Sequence, residues 1–490
     1  MMTEDIALLR RMGFGAILFV IVYFVFEACF ISVISLGAGL DDAELISNLS
    51  FWNWGYGGSQ PPLYTWIAYS LTQVFGLHFP LLQFLKFAVL CSTFLATYTG
   101  LRLLNVRPLV AACAMLSIFL LPQISWESQR ALVHSVMGTA GSAWCFAAFA
   151  FFMKKRSFLT AVMLGLAIAA AILGKYNAGL FVLALFLAAL ALPETRLSLK
   201  TGQFVLSLIV AVLAMAPALL FMILHPQGVV ERASKFSVGI SGNLFRDRLA
   251  GLLDLTIAGL GFVSVALGMA FILMLAVRHG RKADGSGTCL AERFLAAVLI
   301  TGLALVVMAV LVSGATNIKD RWLQPVLFLA PVYFTLVLAR LDSSLRACKA
   351  FGFAGLIAAL LVPGALYLNI RVGVAKGHRS EQNLDYPALQ QVLKREGPVA
   401  TILSPTPFIA GNLRLLDPAI KTLFAETPFA SKRLARPLVV LWTKAETMPA
   451  RLHDILAEAG IAAHNPVRSV DLAYRGTEGA VKKVYYLYIP

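Results

Sequence analysis

The sequence predicts a polytopic α-helical membrane protein with a small C-terminal α/β domain, and three observations carry that prediction. First, of 490 residues 59% are hydrophobic and only 13% are charged, about half the charged share of an average soluble domain. Second, apolar runs near the ~20 residues of a bilayer span recur along the first 370 positions. Third, the pattern changes beyond residue 370, where short strand-like runs alternate with amphipathic helix pattern.

About eleven transmembrane helices are expected. They run roughly over 13–38, 80–104, 109–123, 133–153, 158–174, 178–192, 203–224, 253–277, 294–312, 325–340 and 350–369. The runs 109–123, 158–174 and 178–192 are short for an upright crossing and are expected to be tilted or half-buried. Arg10 and Arg11 precede the first run. No small-residue cleavage site ends that run, so it is expected as a retained helix.

A net charge of +16 would suggest nucleic acid for a soluble protein. Here the positive-inside rule explains part of it, and no nucleic-acid partner is expected. Basic residues such as Arg102, Arg107, Lys154, Arg156 and Arg340 fall in loops on the N-terminal side. They outnumber those on the opposite side roughly two to one, which places the N-terminus in the cytoplasm. The first loop and the C-terminal domain are then extracytoplasmic. The six cysteines show no CxxC spacing, so neither a disulfide framework nor a zinc site is expected.

The chain is accordingly read as a membrane domain over 1–370 and an α/β domain over 371–490. Runs 399–403, 437–442 and 484–489 read as strands and 449–459 as an amphipathic helix. The domain's mildly basic surface suits anionic headgroups or an anionic glycan, or is a solvated scaffold face.

Residues 41–66 (DDAELISNLSFWNWGYGGSQPPLYTW) stand out. Asp41, Asp42 and Glu44 follow a run, 13–40, whose only formal charge is Glu27, and no basic residue comes before Lys86. Ionisable groups at the edge of hydrocarbon are costly, which makes this cluster a functional candidate. Residues 43–54 read as a short helix. Residues 61–76 read as an interfacial helix, with Pro62 in its first turn and Trp66 and Tyr69 at headgroup level. Trp52, Trp54, Tyr64 and Trp66 suit anchoring, while Tyr56 is the aromatic set apart as a candidate for stacking on a substrate.

Further polar residues fall on the same predicted side, among them Glu127, Asp254 and Asp320. Lys175 lies in GKYN, and Lys319 and Arg321 lie in NIKDRW, at span ends. A carboxylate can take a proton from an attacking hydroxyl. Cations can stabilise charge building on a departing phosphate. Together they suit a transfer reaction with an anionic leaving group at a membrane surface.

D-D-A-E followed by W-G-Y and P-P-L-x-x-W resembles the first outer loop of GT-C-fold membrane glycosyltransferases. The likeness is to bacterial members of the protein mannosyltransferase and aminoarabinose transferase superfamily (glycosyltransferase family 39-like). The stretches 124–134 (ISWESQRALVH), 173–177 (LGKYN) and 320–325 (DRWLQP) also fit. The resemblance implies a GT-C-like fold and a polyprenyl-phosphate sugar donor. The sugar would pass with inversion to an acceptor hydroxyl on an envelope glycolipid such as lipopolysaccharide, on a polysaccharide or on a protein. The site would face outward from the bacterial inner membrane.

By the same resemblance Asp41 is the base, Asp42 takes the position usually held by Glu, and Glu127 assists. Lys175, Lys319 and Arg321 would hold the lipid phosphate, with Glu44, Tyr56, Gln60, Lys86, His134 and Tyr176 completing the substrate-binding set. Two residues depart from the pattern. Gln60 stands where the aminoarabinose transferases have a basic residue before Pro-Pro, so that phosphate contact is not carried over. His134 stands where many relatives have Asp, and either touches a substrate oxygen or is structural. Lys86 is expected to snorkel from the outer end of its span. A divalent metal, Mg2+ or Mn2+, is left open, with Asp41 and Asp42 as its ligands if one is used.

The long connection holding His225, Arg232, Lys235, Arg246 and Arg248 is a candidate acceptor gate. Two rival readings remain. A glycolipid transporter or flippase would call for paired repeats with broken spans at the midplane. A non-catalytic factor binding lipid-linked sugar through the same loop is separable only by assay.

Overall fold

A computed structural model describes residues 2–56, 61–225, 243–278, 288–377 and 379–490. Eight described helices are long and apolar enough to cross a membrane, or up to ten if two bent pairs each count as one span. The expected count of eleven is not confirmed among the described residues. All eleven apolar runs are helical, and the shortfall lies in the three runs that looked short. The third run is the pair Pro108–Leu120 and Gln123–Arg130, bent by 75° where Pro122 cannot continue a helix across the break. The sixth is Ala178–Ala191 with Pro193–Leu199, bent by 118° next to Pro193. The fifth, Phe158–Gly174, is an apolar helix of 17 residues.

Residue contacts divide the chain into two compact units. One consists chiefly of residues 86–362 with the start of the first helix, and the other joins residues 363–490 to 27–56 and 64–85. The second unit thus takes in the acidic loop, which a linear division at 370 assigns to the membrane part.

In the first unit, Val133–Lys154 and Phe158–Gly174 pack backbone to backbone. A Cβ on Gly141 would lie 2.5 Å from the Ala171 Cα, and one on Gly138 would lie 2.4 Å from the Lys175 Cβ. Small residues permit that approach between membrane helices. Its consequence is local: the turn after Gly174 is held against the first turns of the facing helix.

The second unit contains a five-stranded sheet: β1 (Thr401–Ser404), β2 (Lys421–Phe424), β3 (Leu438–Trp442), β4 (Arg468–Ala473) and β5 (Val481–Ile489), in the order β2-β1-β3-β5-β4. β1 pairs in parallel with β2 and β3, while β5 pairs antiparallel with β3 and β4. In β3, Val439 and Leu441 join one core with Leu389, Leu393 and Leu413. Leu438, Val440 and Trp442 face another with Leu452, Ile455 and Leu456. Burial on both faces explains why β3 is an unbroken apolar run. Strands β2 and β4 were not expected from sequence. β2 has only four residues, and β4 is an edge whose side chains are mostly exposed.

Candidate active site

Asp41 and Asp42 occupy the first turn of the helix Leu40–Asn48, after Gly39 at its N-cap. Negative charge is favoured at that end, where backbone N–H groups are open. The helix begins earlier and ends earlier than the sequence suggested, and the chain continues through an irregular stretch to Tyr56. Asp42 is buried, and Asp41 and Glu44 are half-buried.

Gln83, fully buried in the helix Phe79–Leu103, donates from Nε2 to Asp42 Oδ2 at 3.3 Å. Tyr64 also lies near Asp42. Burial pushes its phenol well above its ordinary pKa, and the Asp42 charge acts in the same direction, so the hydroxyl keeps its proton. The C-terminal part of the same unit supports the loop. Arg414 donates to the Ile46 carbonyl at 2.6 Å and the Leu49 carbonyl at 2.9 Å.

The loop's aromatics divide differently from expectation. Tyr56 is buried, not open to a sugar: its hydroxyl lies 3.4 Å from the Asn53 N–H and 3.5 Å from the Phe51 carbonyl. Burial raises its phenol to about 12. Trp52 and Trp54 are the exposed pair, at 38% and 51%. Trp66 stacks on Trp52 at 5.8 Å and donates from Nε1 to the Asn53 carbonyl at 2.7 Å. Gln60 lies outside the described residues.

The first unit holds a second constellation. Lys175, in the turn fixed by Gly138, donates from Nζ to Ser135 Oγ at 2.6 Å and to the Arg321 carbonyl at 3.2 Å. Asn177 donates to the Trp322 carbonyl. Two residues that follow Gly174 thereby bind the backbone of the DRW turn, Asp320–Trp322. Asp320 Oδ1 accepts from the Arg321 N–H at 2.7 Å, and its other oxygen accepts from Gln123.

Of these residues Gln123, Asp320 and Arg321 line a cavity of about 650 Å³, whose polar lining also includes Glu127, Asp254 and Lys319, within the size range of small-molecule sites. Asp254 accepts from the Asn317 N–H at 2.8 Å. Glu127 pairs with Arg130 at 2.8 Å. The structure thus brings Glu127, Lys319 and Arg321 together, with Lys175 behind the turn and Tyr176 half-buried next to it. His134 is buried in the first turn of Val133–Lys154, beside Ser135.

Lys86 differs from expectation. It is 1% exposed, its Nζ lying 5.3 Å from the centre of the Phe87 ring, so it does not snorkel to a surface. Arg246 and Arg248 belong to the helix Leu244–Arg278, while Arg232 and Lys235 lie outside the described residues. Among the described residues no three His, Cys, Asp or Glu side chains are grouped to hold a metal ion.

Sequence reasoning missed Gln83, Gln123 and Arg414, and it named Asp254 and Asp320 among the outer-side acids without giving either a role. A signal existed for the acids, at predicted outer span ends, and for Gln83, a polar residue within an apolar run. Arg414 had none, being one basic residue in an amphipathic helix.

No protein-family model matches the chain. Lipopolysaccharide core galacturonosyltransferase RgtB of Rhizobium johnstonii is 28% identical over 463 residues, 92% of this chain and 92% of that protein. Lipopolysaccharide core galacturonosyltransferase RgtA of the same organism is 27% identical over 477 residues, with the same coverage of both. Among solved structures, ArnT from Cupriavidus metallidurans bound to undecaprenyl phosphate aligns with a TM-score of 0.57 at 11% identity. That alignment covers 96% of this chain and 98% of the other. The mycobacterial arabinofuranosyltransferase AftD aligns at 0.51 and 13% identity, over 96% of this chain and 40% of its own. At such identities the structural likeness is one of fold.

Proposed function

We propose that this chain, a membrane glycosyltransferase of the GT-C fold, takes its sugar from a polyprenyl-phosphate donor and passes it, with inversion, to an acceptor hydroxyl on lipopolysaccharide core. The observation that carries the reading is the pair of adjacent carboxylates on the first turn of a supported helix. The two relatives named as lipopolysaccharide core galacturonosyltransferases support the acceptor and point to a hexuronic acid as the sugar. A fold shared with a protein solved with undecaprenyl phosphate supports the donor. The basic-residue bias of the loops supports a reaction on the extracytoplasmic face, taken here as the outer face of the bacterial inner membrane.

In this reading the acceptor O–H gives its proton to Asp41 as the oxygen bonds to the sugar's anomeric carbon. The bond from that carbon to the phosphate oxygen breaks, and prenyl phosphate leaves with the electron pair. Attack from the face opposite the leaving group inverts the anomeric centre. Asp42, bonded to Gln83, orients its neighbour. Lys175, Lys319 and Arg321 are the cations assigned to stabilise the departing phosphate.

The test is reconstitution of the purified protein with a polyprenyl-phosphate hexuronic acid and a lipopolysaccharide core acceptor. Free prenyl phosphate should appear in equal amount with product heavier by one sugar. Binding of both substrates without either product would overturn the reading.

A further inference from the structure

We propose that the C-terminal α/β domain is the splint that sets the position of the Asp41–Asp42 helix, and that Arg414 is a positioning residue through which it acts. The inference rests on the reading of those carboxylates as the reacting pair. It assigns the domain a role in catalysis.

The contacts bracket the helix Leu40–Asn48 at both ends. Before it, Asn412 holds residue 38 twice: Oδ1 accepts from the Ala38 N–H at 2.8 Å and Nδ2 donates to the Ala38 carbonyl at 3.1 Å. Arg475 donates to the Leu36 carbonyl. Beyond it, the Thr422 N–H donates to Ser50 Oγ at 2.9 Å, and Arg433 donates to Asn53 Oδ1 at 2.6 Å. Gly411 meets the helix from the side, where an added Cβ would stand 2.3 Å from the Ala43 carbonyl oxygen and 2.8 Å from its Cα. Ala43 directly follows the two carboxylates.

Arg414 holds the C-terminal end of the helix itself. It is 6% exposed, and one guanidinium reaches the Ile46 carbonyl in the last turn and the Leu49 carbonyl at the C-cap. These are among the carbonyls a helix leaves open at its end. A cation there also complements the helix dipole, whose other end carries Asp41 and Asp42. Burial lowers the Arg414 pKa only to about 10, so the side chain is charged at neutral pH. Lysine cannot reproduce the planar fork that serves two carbonyls at once.

A base must lie within hydrogen-bond reach of the proton it takes. A displacement of ~1 Å in such a group can cost ~10²-fold in rate. The splint acts on that tolerance.

The test compares purified full-length protein carrying Arg414→Met, Arg414→Lys, Gly411→Ala or Asp41→Asn, with turnover expressed per folded molecule. Arg414→Met and Gly411→Ala should each lower kcat about 10- to 100-fold while leaving KM for the donor within about twofold. Arg414→Lys should recover part of the loss. Wild-type kcat per folded molecule in both Gly411→Ala and Arg414→Met, with Asp41→Asn inactive, would overturn the splint. An active Asp41→Asn would instead remove the base on which the inference rests.

Discussion

Gln83 donates its amide N–H to the Asp42 carboxylate across 3.3 Å, and both residues are buried. The bond fixes one member of the acidic pair from a helix that begins far along the chain from it. Replacing Gln83 with Leu removes a donor from a buried carboxylate, at a cost of about 1–3 kcal/mol. Turnover of Gln83→Leu should fall roughly tenfold, more than donor affinity does, if Asp42 orients Asp41. Thermal unfolding and steady-state kinetics on one preparation check both parts. Unchanged kinetics would separate Asp42 from the chemistry.

Lys175 is expected to act on the departing phosphate. Lys175→Met should lower kcat/KM by about 10²- to 10³-fold, the usual cost of removing one group that stabilises transition-state charge. Gly138→Ala should act in the same direction and more weakly, because the new methyl would lie 2.4 Å from the Lys175 Cβ. Activity of Lys175→Met within about twofold of wild type contradicts this assignment.

Asp320 orders the turn that presents Arg321, through the Arg321 N–H at 2.7 Å and through Gln123. Asp320→Ala should weaken donor binding about tenfold, which corresponds to ~1.4 kcal/mol. Titration with polyprenyl phosphate alone measures it, and an unchanged affinity counts against the cavity as the phosphate site.

Leu441 lies at the centre of the sheet with no exposure. Leu441→Ala should destabilise the domain by about 2–5 kcal/mol. Lys483→Ala, at an exposed position of β5, should stay within about 0.5 kcal/mol. Denaturant midpoints followed by tryptophan fluorescence compare the two variants.

What could be read from the sequence followed the range of the interactions concerned. The apolar runs are local signals, and all eleven became helices, although two bend beside Pro122 and Pro193. The acidic pair was legible because charge at the edge of an apolar run is conspicuous. Lys175 was legible for the same reason, but the Gly138 contact that seats it was not. Gln83 and Arg414 were illegible as partners because their bonds span 41 and 368 positions of sequence. Tyr56 was misread because an aromatic in a polar loop looks open until the fold buries it. β4 escaped because an exposed edge strand lacks the apolar pattern that marks β3.

The central claim is that Asp41 takes the acceptor's proton. Its most direct test is the rate of prenyl phosphate release by Asp41→Asn and Asp42→Asn, beside wild type, with donor and acceptor saturating. Asp41→Asn should lose at least ~10²-fold in rate while unfolding at nearly the wild-type temperature, and Asp42→Asn should retain measurable turnover. Release by Asp41→Asn at the wild-type rate would contradict the account.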